Sequence, residues 1–192
     1  MKMRWNYLMW AAIFASTLTP GCAQTPGPRN AGIDASLLAK ANASDAAAQV
    51  RIGDAYATGS GVARDYKQAA AWYGKAAEQG NMSSELRLAG LYRDGAKGFP
   101  RDMQQAAAWY RKAAEQGDVG AQGILGVLYS MGQGVPRSDV EAYYWFDLAA
   151  AVKGPDQEKY AANRQLMGAR ITADELEGVQ ERVAQWIAAH PR

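Results

Sequence analysis

From residue 45 onward, apolar positions recur with a helical period, and the whole pattern then repeats. Ala69, Trp72, Tyr73, Ala76 and Ala77 fall at i, i+3, i+4, i+7 and i+8, the spacing of one face of an α-helix. The same face returns at Ala106, Trp109, Tyr110, Ala113 and Ala114, and again at Ala142, Trp145, Phe146, Ala149 and Ala150. Trp72, Trp109 and Trp145 stand 37 and 36 residues apart. Upstream, Ile52-Gly53, Leu88-Ala89 and Leu125-Gly126 are in register, as are Tyr56, Tyr92 and Tyr129. Between the halves lie the loops TGSGVARD, DGAKGFPRD and SMGQGVPRS, the second one residue longer, which accounts for the wider spacing. Each unit reads as two helices joined by a glycine-containing turn, three units in tandem.

Local signals agree with that division. Asp65 with Gln68, Asp102 with Gln105, and Ser138 with Glu141 predict capping boxes at the second helices, each cap worth about 1 kcal/mol. Gly80 and Gly117 stand where a left-handed helix stop is wanted; the third unit has Lys153 in register and Gly154 one step late. The small residues Gly53, Ala89 and Gly126 are expected to let paired helices approach, with the Trp and Tyr side chains filling the gap between units. Burial of such an aromatic contributes roughly 3 kcal/mol.

This pattern, LG-x-x-Y, then G-x-G-V, then A-x-x-WY-x-K-A-A-E-Q-G, resembles the Sel-one-like repeat (SLR) family over about 45–153. The resemblance implies an all-α fold, a right-handed α/α superhelix (solenoid) of three hairpins, related to tetratricopeptide repeats and used as an adaptor surface. Units that cannot bury their own faces must stack, so the residue pattern leads to the same architecture. The expected layout is an N-terminal cap helix over 33–44 (Ile33, Leu37, Leu38), repeats at 45–80, 81–117 and 118–154, and a helical cap over 155–192. In that cap Pro155 opens a helix to about Gly168. A capping box at Thr172 and Glu175 then starts a last helix with Leu176, Val179, Val183, Trp186 and Ile187 on one face.

The N-terminus changes the picture of location. Lys2 and Arg4 precede an apolar run from Tyr7 to Leu18, shorter than the ~20 residues of a membrane span, so residues 1–23 read as a secretory signal. Gly21-Cys22 resembles a bacterial lipoprotein site, with Cys22 lipidated, although Thr19 stands where that family usually has Leu. Cleavage after Ala23 is the alternative. Either reading exports the chain to the periplasm. With acylation it would be anchored, and Ala23 resembles sorting to the outer membrane. Residues 24–32, with two Pro and two Gly, read as a tether.

Composition then limits chemistry. Lys and Arg number 21 against 19 Asp and Glu, a net charge of +2, which excludes a strongly basic nucleic-acid binder. One Cys and one His cannot make a zinc site or an internal disulfide, and His190 lies near the end of the sequence. The paired Gly of GSG (59–61) and GQG (132–134) recur as turns, not as a phosphate loop. Asp54, Glu85, Asp94, Glu115 and Asp118 are expected on solvated helix surfaces. No catalytic, cofactor-binding or metal-ligating residue is assigned.

In tetratricopeptide-like stacks the first helices line the concave side. The register positions there are Arg51, Arg87 and Ile124; Asp54, Gly90 and Val127; Thr58, Asp94 and Met131. Of these, Arg51, Asp54, Arg87, Asp94, Ile124, Val127 and Met131 are the candidate partner-binding residues, with the C-terminal helices as a competing cover for the apolar end. The expected function is a non-catalytic scaffold binding an envelope protein or peptide, with assembly of cell-wall glycan or exported polysaccharide as the alternative. A β-lactam-hydrolysing branch of the family has bridged helix pairs, and this chain lacks those paired cysteines.

Overall fold

The computed structural model describes residues 32–191. Cys22, the expected signal over 1–23 and most of the expected tether over 24–32 lie outside the described residues. Among those described, nine helices follow one another. They are α1 (Ala35–Asn42), α2 (Ala46–Thr58), α3 (Tyr66–Ala77), α4 (Met82–Asp94), α5 (Met103–Glu115), α6 (Val119–Met131), α7 (Asp139–Ala150), α8 (Gln157–Gly168) and α9 (Ala173–Ala189). The hairpins are α2–α3, α4–α5 and α6–α7. Each leans on the next through α3–α4 and α5–α6; α1 covers the front, and α8 and α9 both pack on α7. This is an all-α repeat superhelix, with each unit packed chiefly on its neighbours.

The helix starts are set by short polar side chains. Asp34, Asp45, Asp65, Asn81, Asp102, Asp118 and Ser138 each accept a backbone N–H of the first turn of α1 to α7. Among the described residues, the reciprocal half of a capping box forms only at Thr172–Glu175, at the head of α9. The boxes expected at Gln68, Gln105 and Glu141 are therefore one-sided: the cap holds, and the return bond does not form. Pro155 sits just ahead of α8, whose N-cap residue Asp156 makes no side-chain cap.

The aromatic seams differ from expectation in one respect. Tyr73 and Phe146 fill the space inside their own hairpins, over Gly53 and Gly126. A Cβ on Gly53 would stand 2.5 Å from the Tyr73 ring, and one on Gly126 2.6 Å from the Phe146 ring. The gap between units falls to Trp109, which packs against both the middle and the rear core clusters. Trp72 packs against the front cluster around Leu37 and Ile52. Trp72 and Trp109 are half-buried, each with a lysine one turn on, Lys75 and Lys112, whose ammonium lies 3.9 Å from the ring centroid. In the third unit Leu148 takes the lysine's register, and Trp145 is buried, because α7 is enclosed by α6, α8 and α9.

Candidate functional site

The exposed faces of α2, α4 and α6 run side by side and carry the positions that differ most between units. At the front, Arg51 is exposed on α2. Asp54 and Arg87 are not independent surface charges. The Arg87 guanidinium sits 3.1 Å from Asp54 Oδ1, tying the first hairpin to the second, and the Tyr73 hydroxyl donates a 2.6 Å hydrogen bond to the same oxygen. Burial, with the Asp54 carboxylate second, pushes the Tyr73 phenol well above its usual range. Thr58 is exposed, and its hydroxyl donates to the Asp54 carbonyl.

Two grooves follow in register. The first, about 350 Å³, lies between the first two units and includes Tyr73, Arg87, Gly90 and Asp94 in its lining. The second, about 550 Å³, lies between the second and third units. Asp94 borders both. Three of the candidate residues, Asp94, Ile124 and Val127, come together in the second groove; Met131 is 62% exposed and lies outside its lining.

The floor of the second groove is apolar, made by Ile124, Val127 and Leu128 of α6 with Met103 of α5. Its far wall is α8. Tyr160 of α8 packs against Gly123, where any Cβ would collide with the ring, and Lys159 and Asn163 stand beside it. The C-terminal cap therefore neither buries the apolar end nor leaves it alone; it builds a second wall and keeps the groove open.

The charges on the rim are unequal. Arg93 grips Asp94 with two bonds, Nε to Oδ1 at 2.7 Å and an Nη to Oδ2 at 2.9 Å, and donates a third at 3.0 Å to the Tyr110 hydroxyl. That grip holds the Asp94 carboxyl below its usual range, with Arg101 adding to it. Among the described residues, Arg101, from the α4–α5 loop, and Lys159, from α8, make no ion pair; the Lys159 ammonium lies 6.0 Å from the centroid of the Tyr160 ring. Three cations face one carboxylate that is already engaged. The geometry suits binding of an uncharged or acidic surface to an apolar strip. Among the described residues, no group of three His, Cys, Asp or Glu side chains is placed to hold a metal ion. No described helix is long and apolar enough to cross a membrane.

A model of the Sel1 repeat matches residues 46–81, 83–118 and 119–151, together more than half of the chain. The chain belongs to the Sel1 repeat family. Such repeats generally serve as non-catalytic scaffolds for protein–protein interaction. A solved Sel1 repeat protein from Oxalobacter formigenes is 31% identical over 65% of this chain and 92% of its own, with a TM-score of 0.57. Two others are also similar. One, a protective antigen of uropathogenic Escherichia coli displaying an SLR fold, is 26% identical over 79% of this chain and 47% of its own (TM-score 0.42). The other, Helicobacter pylori cysteine rich protein B, is 20% identical over 65% and 88% (TM-score 0.48). No curated protein matches the chain.

The sequence reading missed Arg93 and Arg101 within the Sel1 repeats, and Lys159 and Tyr160 on α8 beyond them. Arg101 carried a usable signal, because Arg64, Arg101 and Arg137 recur one residue before each second-helix cap. Arg64 donates to the Thr58 carbonyl at 3.0 Å and Arg137 lies 3.8 Å from Asp139, whereas Arg101 borders the groove. Lys159 and Tyr160 carried none, since α8 reaches the groove only by folding back on α7. Glu85, expected on a solvated surface, is instead 2% exposed, and Asp118 is the N-cap of α6.

Proposed function

We propose that this Sel1 repeat protein is a non-catalytic adaptor of the bacterial cell envelope, holding a partner protein or peptide along the first-helix face. The observation that carries the reading is the 550 Å³ groove, apolar at its floor and open at its mouth, where α4, α6 and α8 converge. Apolar concavities with a few placed polar groups are where proteins take ligands. Export rests on the sequence of residues 1–23, and the lipid anchor on Cys22. An outer-membrane lipoprotein would present the groove to periplasmic partners.

The test is affinity capture from an envelope extract of the producing bacterium, with the wild type against Val127→Asp. Val127 is half-buried at the groove floor, so the variant should keep its helical circular dichroism and melting curve. A specific protein recovered by the wild type and lost with the variant supports the reading. Recovery unchanged by the substitution removes the groove. Labelled palmitate incorporated by the wild type and not by Cys22→Ser supports the anchor; no incorporation removes it.

A further inference from the structure

We infer that the occupant of the larger groove is an extended peptide segment in which an apolar anchor residue is flanked by acidic residues. This deepens the adaptor reading and rests on it. The inference comes from where the unpaired charges lie. The apolar floor belongs to α6, through Ile124 and Val127, and the two cations without an ion pair come to its lining from two different elements. Arg101 is held by the α4–α5 loop and Lys159 by α8. The carboxylate on the rim, Asp94, is taken up by Arg93, so it neither neutralises these cations fully nor offers itself to a basic ligand.

A ligand that fills the floor and leaves both cations unpaired would strip water from them without compensation. A carboxylate on each side of the apolar anchor meets them in the rim, where partial exposure keeps desolvation small and complementarity sets partner choice. The two grooves are neighbours that share Asp94, so a segment reaching both has to be elongated. The front groove has no such excess, because Arg87 is already bonded to Asp54. Selectivity for acid should therefore reside in the rear groove alone.

The experiment is selection of a randomised peptide library on the immobilised wild-type protein. Binding of the enriched peptides is then measured by fluorescence anisotropy to the wild type, to Val127→Asp, and to the double variant Arg101→Glu with Lys159→Glu. Both cations are exposed, so the double variant should fold normally. The expected result is enrichment of sequences with Asp or Glu on either side of a large apolar residue. Their affinity should fall by about tenfold or more in the double variant and weaken as salt rises. Enriched peptides that are neutral or basic, and indifferent to the charge reversal but lost with Val127→Asp, overturn this inference and leave the groove reading standing. No enrichment, or binding indifferent to Val127→Asp, overturns both.

Discussion

Gln116 donates a 2.7 Å hydrogen bond to the buried carboxylate of Glu85, in the same register in which Gln79 donates a 2.8 Å bond to Gln49. The inner partner of each pair, Gln49 or Glu85, sits at the start of a first helix; Gln122 holds that register in the third unit, where its buried Oε1 has no hydrogen-bond partner among the described residues. The two glutamines also donate backwards, Gln49 to the Ala41 carbonyl at 2.9 Å and Gln122 to the Ala114 carbonyl at 3.1 Å. The equivalent acceptor for the second unit is the Ala77 carbonyl, and an ionised Glu85 has no proton to give it. Glu85→Gln should complete the pattern and remove a buried charge, raising stability at pH 7 by about 1 kcal/mol. A thermal melt should rise by a few degrees; an unchanged or lowered midpoint would refute the register argument.

The same carboxyl should make stability depend on pH. Burial raises its pKa above the ordinary value, against Lys112, which lowers it, and with Glu115, which raises it further. The folded state then binds a proton more tightly than the unfolded state. Its contribution is fully present below the unfolded-state pKa, near 4.5, and is lost as pH rises through the higher folded value. The Glu85→Gln advantage should therefore shrink towards zero in melts at acid pH and be largest at neutral pH.

Ser44 predicts a gain from a single glycine. It stands in register with Gly80 and Gly117 at the turn before a first helix. All three have left-handed backbones, with φ of 66°, 79° and 95°. Only the first carries a side chain there, which costs energy for an L-residue. Ser44→Gly should stabilise the front of the stack by about 0.5–1 kcal/mol, read as a higher denaturant midpoint at unchanged slope.

Glycines elsewhere should respond in opposite directions. Gly126→Ala would place a methyl against the Phe146 ring and should cost about 1–3 kcal/mol, moderated because the second unit already accommodates Ala89 at that register. Gly90→Ala, with open space around the new Cβ, should be neutral or stabilising by up to about 1 kcal/mol through helix propensity. Equal effects of the two substitutions in chemical denaturation would contradict the packing described for α6 and α7.

The helical hairpins, their number, their N-caps and their stacking were legible in the residue pattern alone. Each of these follows from short-range periodicity: Ala and Trp at helical spacing, Asp or Ser at the caps, glycine at the stops. A period of 36 or 37 residues leaves no other way to bury the repeated faces. Only the packing of the units decided which charges are bonded to one another. Asp54 and Arg87 are 33 positions apart in the chain and neutralise each other, whereas Arg101 and Lys159, both lining a groove, form no ion pair among the described residues. It also decided that Glu85 is buried and that α8 walls the binding face. The reason is that pairing and burial depend on distances across neighbouring units and on a cap with no repeat of its own. Neither is encoded in the local pattern that shapes a single helix.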